Sequence, residues 1–139
     1  MSKNKFVATL PAFAIGSWLL VYRIYLVYAI SDYTWRWILY FIPTFLIGCM
    51  TAFFSNLILP LTTSFKRAFH LALPSLIVCL FFFMINDVVV MLLDDDFSLE
   101  TIGFCIINIF RIAFPAGILL MSSTAFFGWL GACIRLGRK

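Results

Sequence analysis

Three charged side chains, Arg23, Asp87 and Arg111, interrupt long runs that otherwise carry almost no charge. Ionisable groups set among such apolar runs are expensive to desolvate, usually face protein or water, and mark candidate sites by default. Asn86 stands directly beside Asp87 and Asn108 lies three residues before Arg111, so each adds an uncharged hydrogen-bonding group. Two guanidiniums against one carboxylate leave a spare positive charge, and the guanidinium fork suits carboxylate and phosphate oxygens. The chemistry on offer is therefore recognition of an anionic substrate, ligand or lipid headgroup. The plainer reading is a buried Arg23–Asp87 ion pair that fixes helix register, with Arg111 reaching along its stem to the headgroups. Asp87 is also a candidate proton carrier, because burial and a neighbouring arginine bias its protonation in opposite senses.

Other chemistries find no residues. No phosphate-binding glycine loop, HExxH, nucleophile elbow or histidine pair at helical spacing occurs, and the loops leave no room for a catalytic domain. The expectation is a protein that is not an enzyme and needs no cofactor. Cys49, Cys79, Cys105 and Cys133 are widely spaced in apolar settings, which reads as buried thiols rather than a zinc or redox site. His70 is the single histidine and sits beside Lys66 and Arg67, as an interfacial polar residue would. The run Asp94-Asp95-Asp96 reads as a solvated loop in preference to a cation site.

The elements that must position these groups follow from composition. Of 139 residues, 64% are apolar and 12% charged, far from the quarter or so of charged residues in an ordinary soluble domain. Lipid must cover much of that surface. Four stretches reach the roughly 20 apolar residues that a transmembrane helix needs: Phe6–Ile30, Trp37–Leu61, Ala68–Leu93 and Thr101–Ile134. The predicted fold is an all-α integral membrane protein, one four-helix transmembrane domain over 1–139. Ala12-Phe13-Ala14 falls too early in the first apolar run to end a signal peptide, so that run is read as a retained span. The last stretch exceeds one straight crossing; either it tilts steeply, or its first turns lie in the interface before Pro115 redirects the chain.

Sidedness follows the basic residues of short loops. With four crossings, Lys3, Lys5, Lys66, Arg67, Arg135, Arg138 and Lys139 share one side, and Asp32, Arg36, Asp94, Asp95, Asp96 and Glu100 share the other. This predicts a multi-pass protein of the cell (inner) membrane with both termini cytoplasmic. Tyr25, Tyr28, Tyr33, Trp35, Trp37 and Tyr40 then gather at the outer headgroup level. The basic cluster attracts anionic lipids and implies no nucleic acid.

The two halves, 1–65 and 66–139, resemble each other. Both open with a basic residue and a proline about one and a half turns on (Pro11, Pro74), and Pro43…Thr51-Ala52-Phe53-Phe54 parallels Pro115…Thr124-Ala125-Phe126-Phe127. A duplication would give two hairpins related by an axis along the membrane normal, with a site between them. Arg23 then aligns with Asn86, so that Arg23 and Asp87 could meet. A hairpin carrying Ile112-Ala113-Phe114-Pro115 behind an acidic outer loop resembles a domain-of-unknown-function family of small bacterial inner-membrane helical hairpins. The second half fits that pattern better than the first, and the resemblance implies no activity and no site residues.

Small residues recur every fourth position in Ala8/Ala12/Gly16, Gly48/Ala52 and Thr124/Gly128/Ala132, spacing that lets helices approach closely in lipid. They serve either packing inside the bundle or an interface with a partner. Two classes of function remain: a transport, channel or anion- and lipid-binding protein, self-contained or a homo-oligomer, and a non-catalytic accessory subunit of a larger membrane complex.

Overall fold

The computed structural model describes residues 3–23, 33–95 and 97–137, and among these every regular element is helical. In chain order they are α1 (Lys3–Val21), α2 (Tyr33–Ile58), α3 (Phe65–Leu71), α4 (Leu73–Asp94), α5 (Leu99–Asn108), a π-turn (Ile109–Ala113) and α6 (Phe114–Gly137). Three stretches are long and apolar enough to cross a membrane: Ile38–Ile58, Phe65–Val89 and Leu99–Gly137. Lys5–Val21 is apolar but shorter, and residues 24–30 of the first expected span lie outside the described residues.

Local chemistry accounts for the breaks. α2 stops two residues before Pro60, and the Leu61 N–H donates to Asn56 Oδ1 at 3.3 Å, so a side chain closes the helix end. α3 gives way to α4 at Ala72 because Pro74 has no N–H to continue the ladder, and proline is tolerated in the first turn of α4. α4 ends on Asp95 in the left-handed region (φ 50°), a conformation that aspartate visits more readily than most residues. Ser98 then caps α5 by accepting the Thr101 N–H at 3.2 Å.

The helices form a ring in which α1 packs on α2, α2 on α6, α6 on α4, and α4 back on α1. Ile15, Leu19, Cys79 and Leu120 fill its centre, with Trp18, Tyr40, Phe45, Val78 and Phe82 around them. The outward faces are apolar too: Phe13 is 76% exposed, and Leu46, Phe54, Phe81 and Leu119 are exposed as well. A water-soluble bundle carries polar residues there; lipid is the solvent this surface suits.

This ring departs from the twofold expectation. A twofold axis along the bundle sets α1 across from α4, and α2 across from α6. Instead, like helices are neighbours, and neither α1 with α6 nor α2 with α4 is a main contact. The second expected hairpin is therefore laid beside the first rather than rotated about it.

The small-residue stripes are used inside the ring. A Cβ on Gly48 falls 3.3 Å from Thr124 Oγ1, one on Gly128 falls 3.7 Å from Ala52 Cβ, and one on Gly16 falls 3.5 Å from Phe82 and Val78. At the end bearing Lys66, Arg67 and Arg135, Trp129 Nε1 donates to the Thr63 carbonyl at 2.8 Å and its ring meets Phe65 edge-on. Trp129→Phe keeps most of the ring contact but leaves that carbonyl to find water. A loss of about 1 kcal/mol is expected, read as a small drop in the detergent-solubilised melting temperature.

The last stretch stays helical through a widened turn at Pro115. Leu99–Gly137 runs 39 residues as one helical path, about 58 Å at 1.5 Å per residue against a hydrocarbon core of roughly 30 Å. Pro115 has no N–H, and the turn before it widens: the Phe114 N–H reaches back five residues to Ile109 O. α6 alone is long enough to cross. α5 has no fully buried residue and joins α6 through the π-turn.

Candidate functional site

The parallel packing of α1 on α4 sets the level of the charged groups. Gly16 lies against Val78 and Phe82; two helical turns further along both helices come Arg23 on one and Asn86 and Asp87 on the other. α2 runs the opposite way and brings Tyr40 to the same level, its ring centroid 5.0 Å from that of Tyr22, edge to face. The side chains enclose a crevice of about 470 Å³, open mouth included, lined by Leu19, Leu20, Tyr22, Arg23, Tyr40, Phe82, Ile85, Asn86 and Val89.

Arg23 and Asn86 supply its polar edge, and leucine, isoleucine, valine and phenylalanine supply its walls. Arg23 is half-buried and, among the described residues, has no carboxylate partner. The expected Arg23–Asp87 ion pair is absent, and Asp87 Oδ2 is buried without a hydrogen-bond partner among the described residues. Asp87 lies within electrostatic reach of Tyr40, which lines the crevice, and of Cys105 on α5.

The remaining two sequence-selected residues lie apart from the crevice. Asn108 is half-buried at the end of α5, and Arg111 is exposed in the π-turn. That turn packs against α4, so both stand on the neighbouring flank of the bundle rather than on the crevice wall.

Sequence reasoning missed two contributors to the crevice. Tyr22 is buried, and Tyr40 packs on the central cluster, although Tyr40 reads in sequence as part of an aromatic belt at the headgroups. The available signal was spacing: Tyr22 precedes Arg23, and Leu19 lies one turn below it, so all three share one stretch of α1.

A second cavity, about 360 Å³ with its opening, occupies the opposite end, where Asn56, Thr62, Thr124 and Trp129 join Val7, Pro11 and Ala72. Its polar groups are largely engaged: Asn56 Nδ2 donates to Ala52 O at 2.9 Å, and Thr124 Oγ1 to Leu120 O at 2.7 Å. Ile15 on α1 and Cys79 on α4 fall between the residues of those helices that line the two cavities, and the fully buried Leu120 of α6 packs with them. A buried apolar cluster closes the ring at mid-height.

Among the described residues no group of three histidine, cysteine or acidic side chains gathers to hold a metal ion. Compared with known protein families, curated proteins and solved structures, the chain has no match. The hairpin resemblance carried by Ile112–Pro115 gains no support there, and those residues form the junction of the π-turn with α6.

Proposed function

We propose that this chain is a small multi-pass protein of the cell membrane, its basic end and both termini cytoplasmic, that holds an anionic amphiphile in the crevice between α1, α2 and α4. The observation that carries this reading is Arg23, a guanidinium without a carboxylate partner among the described residues, at the edge of a largely apolar crevice. A lone guanidinium accepts a phosphate or carboxylate head, and apolar walls accept a chain. Depth agrees: Lys5 to Arg23 is about 27 Å of helix at 1.5 Å per residue, near the far edge of a core of roughly 30 Å. The head of an outer-leaflet lipid lies at that level, and Leu19 and Phe82 line the descent below it.

The closed layer of Ile15, Cys79 and Leu120 favours holding a ligand over conducting one. Transport by this chain requires that layer to open. The accessory-subunit reading draws on a different observation, α5, an apolar helix with no fully buried residue. Native mass spectrometry after mild extraction tests the two together. The binding reading expects the chain, as monomer or homo-oligomer, to retain an anionic lipid. A fixed-ratio complex with another membrane protein and no retained lipid overturns it in favour of an accessory role.

A further inference from the structure

Asp87 is a half-buried acid, one oxygen enclosed, that the binding reading leaves unused. Its Oδ2 is enclosed with no hydrogen-bond partner among the described residues, yet the residue before it lines the crevice and Tyr40, within its electrostatic reach, lines the crevice as well. A carboxylate oxygen shut away from water without a partner is costly to leave charged. A second anion placed nearby raises that cost, because like charges repel strongly where water is excluded.

We infer that Asp87 is a proton-binding site coupled to the crevice, so that an anionic amphiphile binds together with one proton. This rests on the binding reading above and adds to it a reason for the acid. Arg23 draws the anionic head in; Asp87, charged, opposes it; a proton on Asp87 removes the opposition without altering the pocket's shape. The bound unit, ligand plus proton, then brings one positive charge against one negative charge, and Arg23 is left to balance the head alone.

The surrounding groups leave the proton on Asp87. Among the side chains described, the titratable or charged groups on this part of the elements are Tyr22 and Arg23 on α1, Tyr40 on α2, Cys79 on α4 and Asp95 at its end, Glu100 and Cys105 on α5, and Arg111 in the π-turn; α6 offers none until Cys133. Tyrosine and arginine keep their protons throughout the physiological range, and cysteine ordinarily gives its own up only above it. Asp95 and Glu100 are exposed around the α4–α5 loop, so Asp87 is the one acid with an enclosed oxygen at this level, among the described residues. By linkage, a ligand that disfavours charged Asp87 binds more tightly when the residue is protonated, so affinity falls as pH rises.

The test is equilibrium binding of a short-chain phosphatidylglycerol to the full chain in neutral maltoside detergent, between about pH 5 and about pH 8, a range that brackets a perturbed carboxylate and leaves the phosphodiester charged. Phosphatidylcholine is the neutral-head comparison. The expected result is a loss of affinity on the order of tenfold across the range for the wild type, and a flat, tight profile for Asp87→Asn. Because that variant also changes packing, proton uptake is measured on the wild type as phosphatidylglycerol is added to weakly buffered protein. Uptake approaching one proton per ligand supports the coupling. Tight binding that is independent of pH, or a pH dependence shared by Asp87→Asn, overturns the coupling and leaves the binding reading standing. No preference for phosphatidylglycerol over phosphatidylcholine at any pH, in either protein, overturns both.

Discussion

Gly131→Leu is expected to prevent the bundle from assembling, and Gly131→Ala to lower its stability markedly, both read from yield and melting temperature in detergent. A Cβ on Gly131 runs directly into the carbonyl oxygen of Phe53 on α2 and lies close to the Leu57 nitrogen. These are backbone atoms of the neighbouring helix, and backbone cannot rotate aside. α2 and α6 make the most extensive contact in the ring, so separating them at Gly131 also disturbs the Gly48–Thr124 and Ala52–Gly128 approaches on the same seam. Overpacking a close contact commonly costs about 1–3 kcal/mol for small additions, and a leucine adds far more than one methyl. The comparison is with glycines in other settings. At Gly117 the added atom meets the end of the Leu76 side chain, 2.5 Å away, which can swing clear at a smaller cost. At Gly103 nothing lies within 4 Å, so Gly103→Ala should be neutral or gain up to about 1 kcal/mol through helix propensity. Similar small gains on substitution to alanine at all three positions would mean that helix propensity, not the α2–α6 seam, governs these glycines.

That seam illustrates how much of the fold is legible in the sequence. The four-residue spacing of Gly48 and Ala52, and of Thr124, Gly128 and Ala132, marks surfaces for close approach, and the structure uses them against each other. The apolar stretches likewise mark their own helices, because a membrane span is defined by length and composition alone. Spacing and hydropathy do not say which helix neighbours which. In a soluble bundle the polar face names the outside; here Phe13 and Ile15 are equally apolar, yet one is widely exposed and the other fully buried. This is why the side-by-side placement of like helices, and the inward packing of Tyr40, departed from expectation. Pro115 announced a disturbance in the last helix, but the wide turn before it depends on which carbonyl the chain finds next, a matter of local geometry.

For the site, charge was the readable signal and partnership was not. The alignment of Arg23 with Asn86 led to the expectation that Arg23 meets Asp87; Arg23 and Asn86 line one crevice, but the ion pair with Asp87 does not form. Arg111, chosen on the same criterion of charge within an apolar run, stands exposed on another flank. Residues carrying the same signal are sorted only by the helix contacts around them.

The sorting yields the second large effect. Arg23→Gln is expected to abolish retention of anionic lipid, weakening phosphatidylglycerol binding by roughly ten- to a hundredfold, while Arg111→Gln changes it less than about threefold. The size follows from what Arg23 supplies: a charge-assisted hydrogen bond to an anion is worth about 1.5–3 kcal/mol, and each 1.4 kcal/mol is a factor of ten in affinity. Glutamine keeps a long, polar side chain and its stem packing but removes the charge, so lost affinity with unchanged melting temperature isolates the electrostatic contribution. Arg111 is the matched control. It is also an arginine near the end of the bundle away from the basic loops, but it points from the π-turn rather than from the crevice wall. Surface charge in general attracts anionic lipid without a site, and that background is screened by salt within a Debye length of about 8 Å at physiological ionic strength. The measurement is therefore made at both low and moderate salt. If the two substitutions weaken binding alike, and salt removes the difference from wild type, the attraction is diffuse and the crevice holds no head. If Arg23→Gln alone loses the lipid at both salt concentrations, the guanidinium acts within the crevice, where the walls of Leu19, Phe82 and Ile85 shield it from the solution.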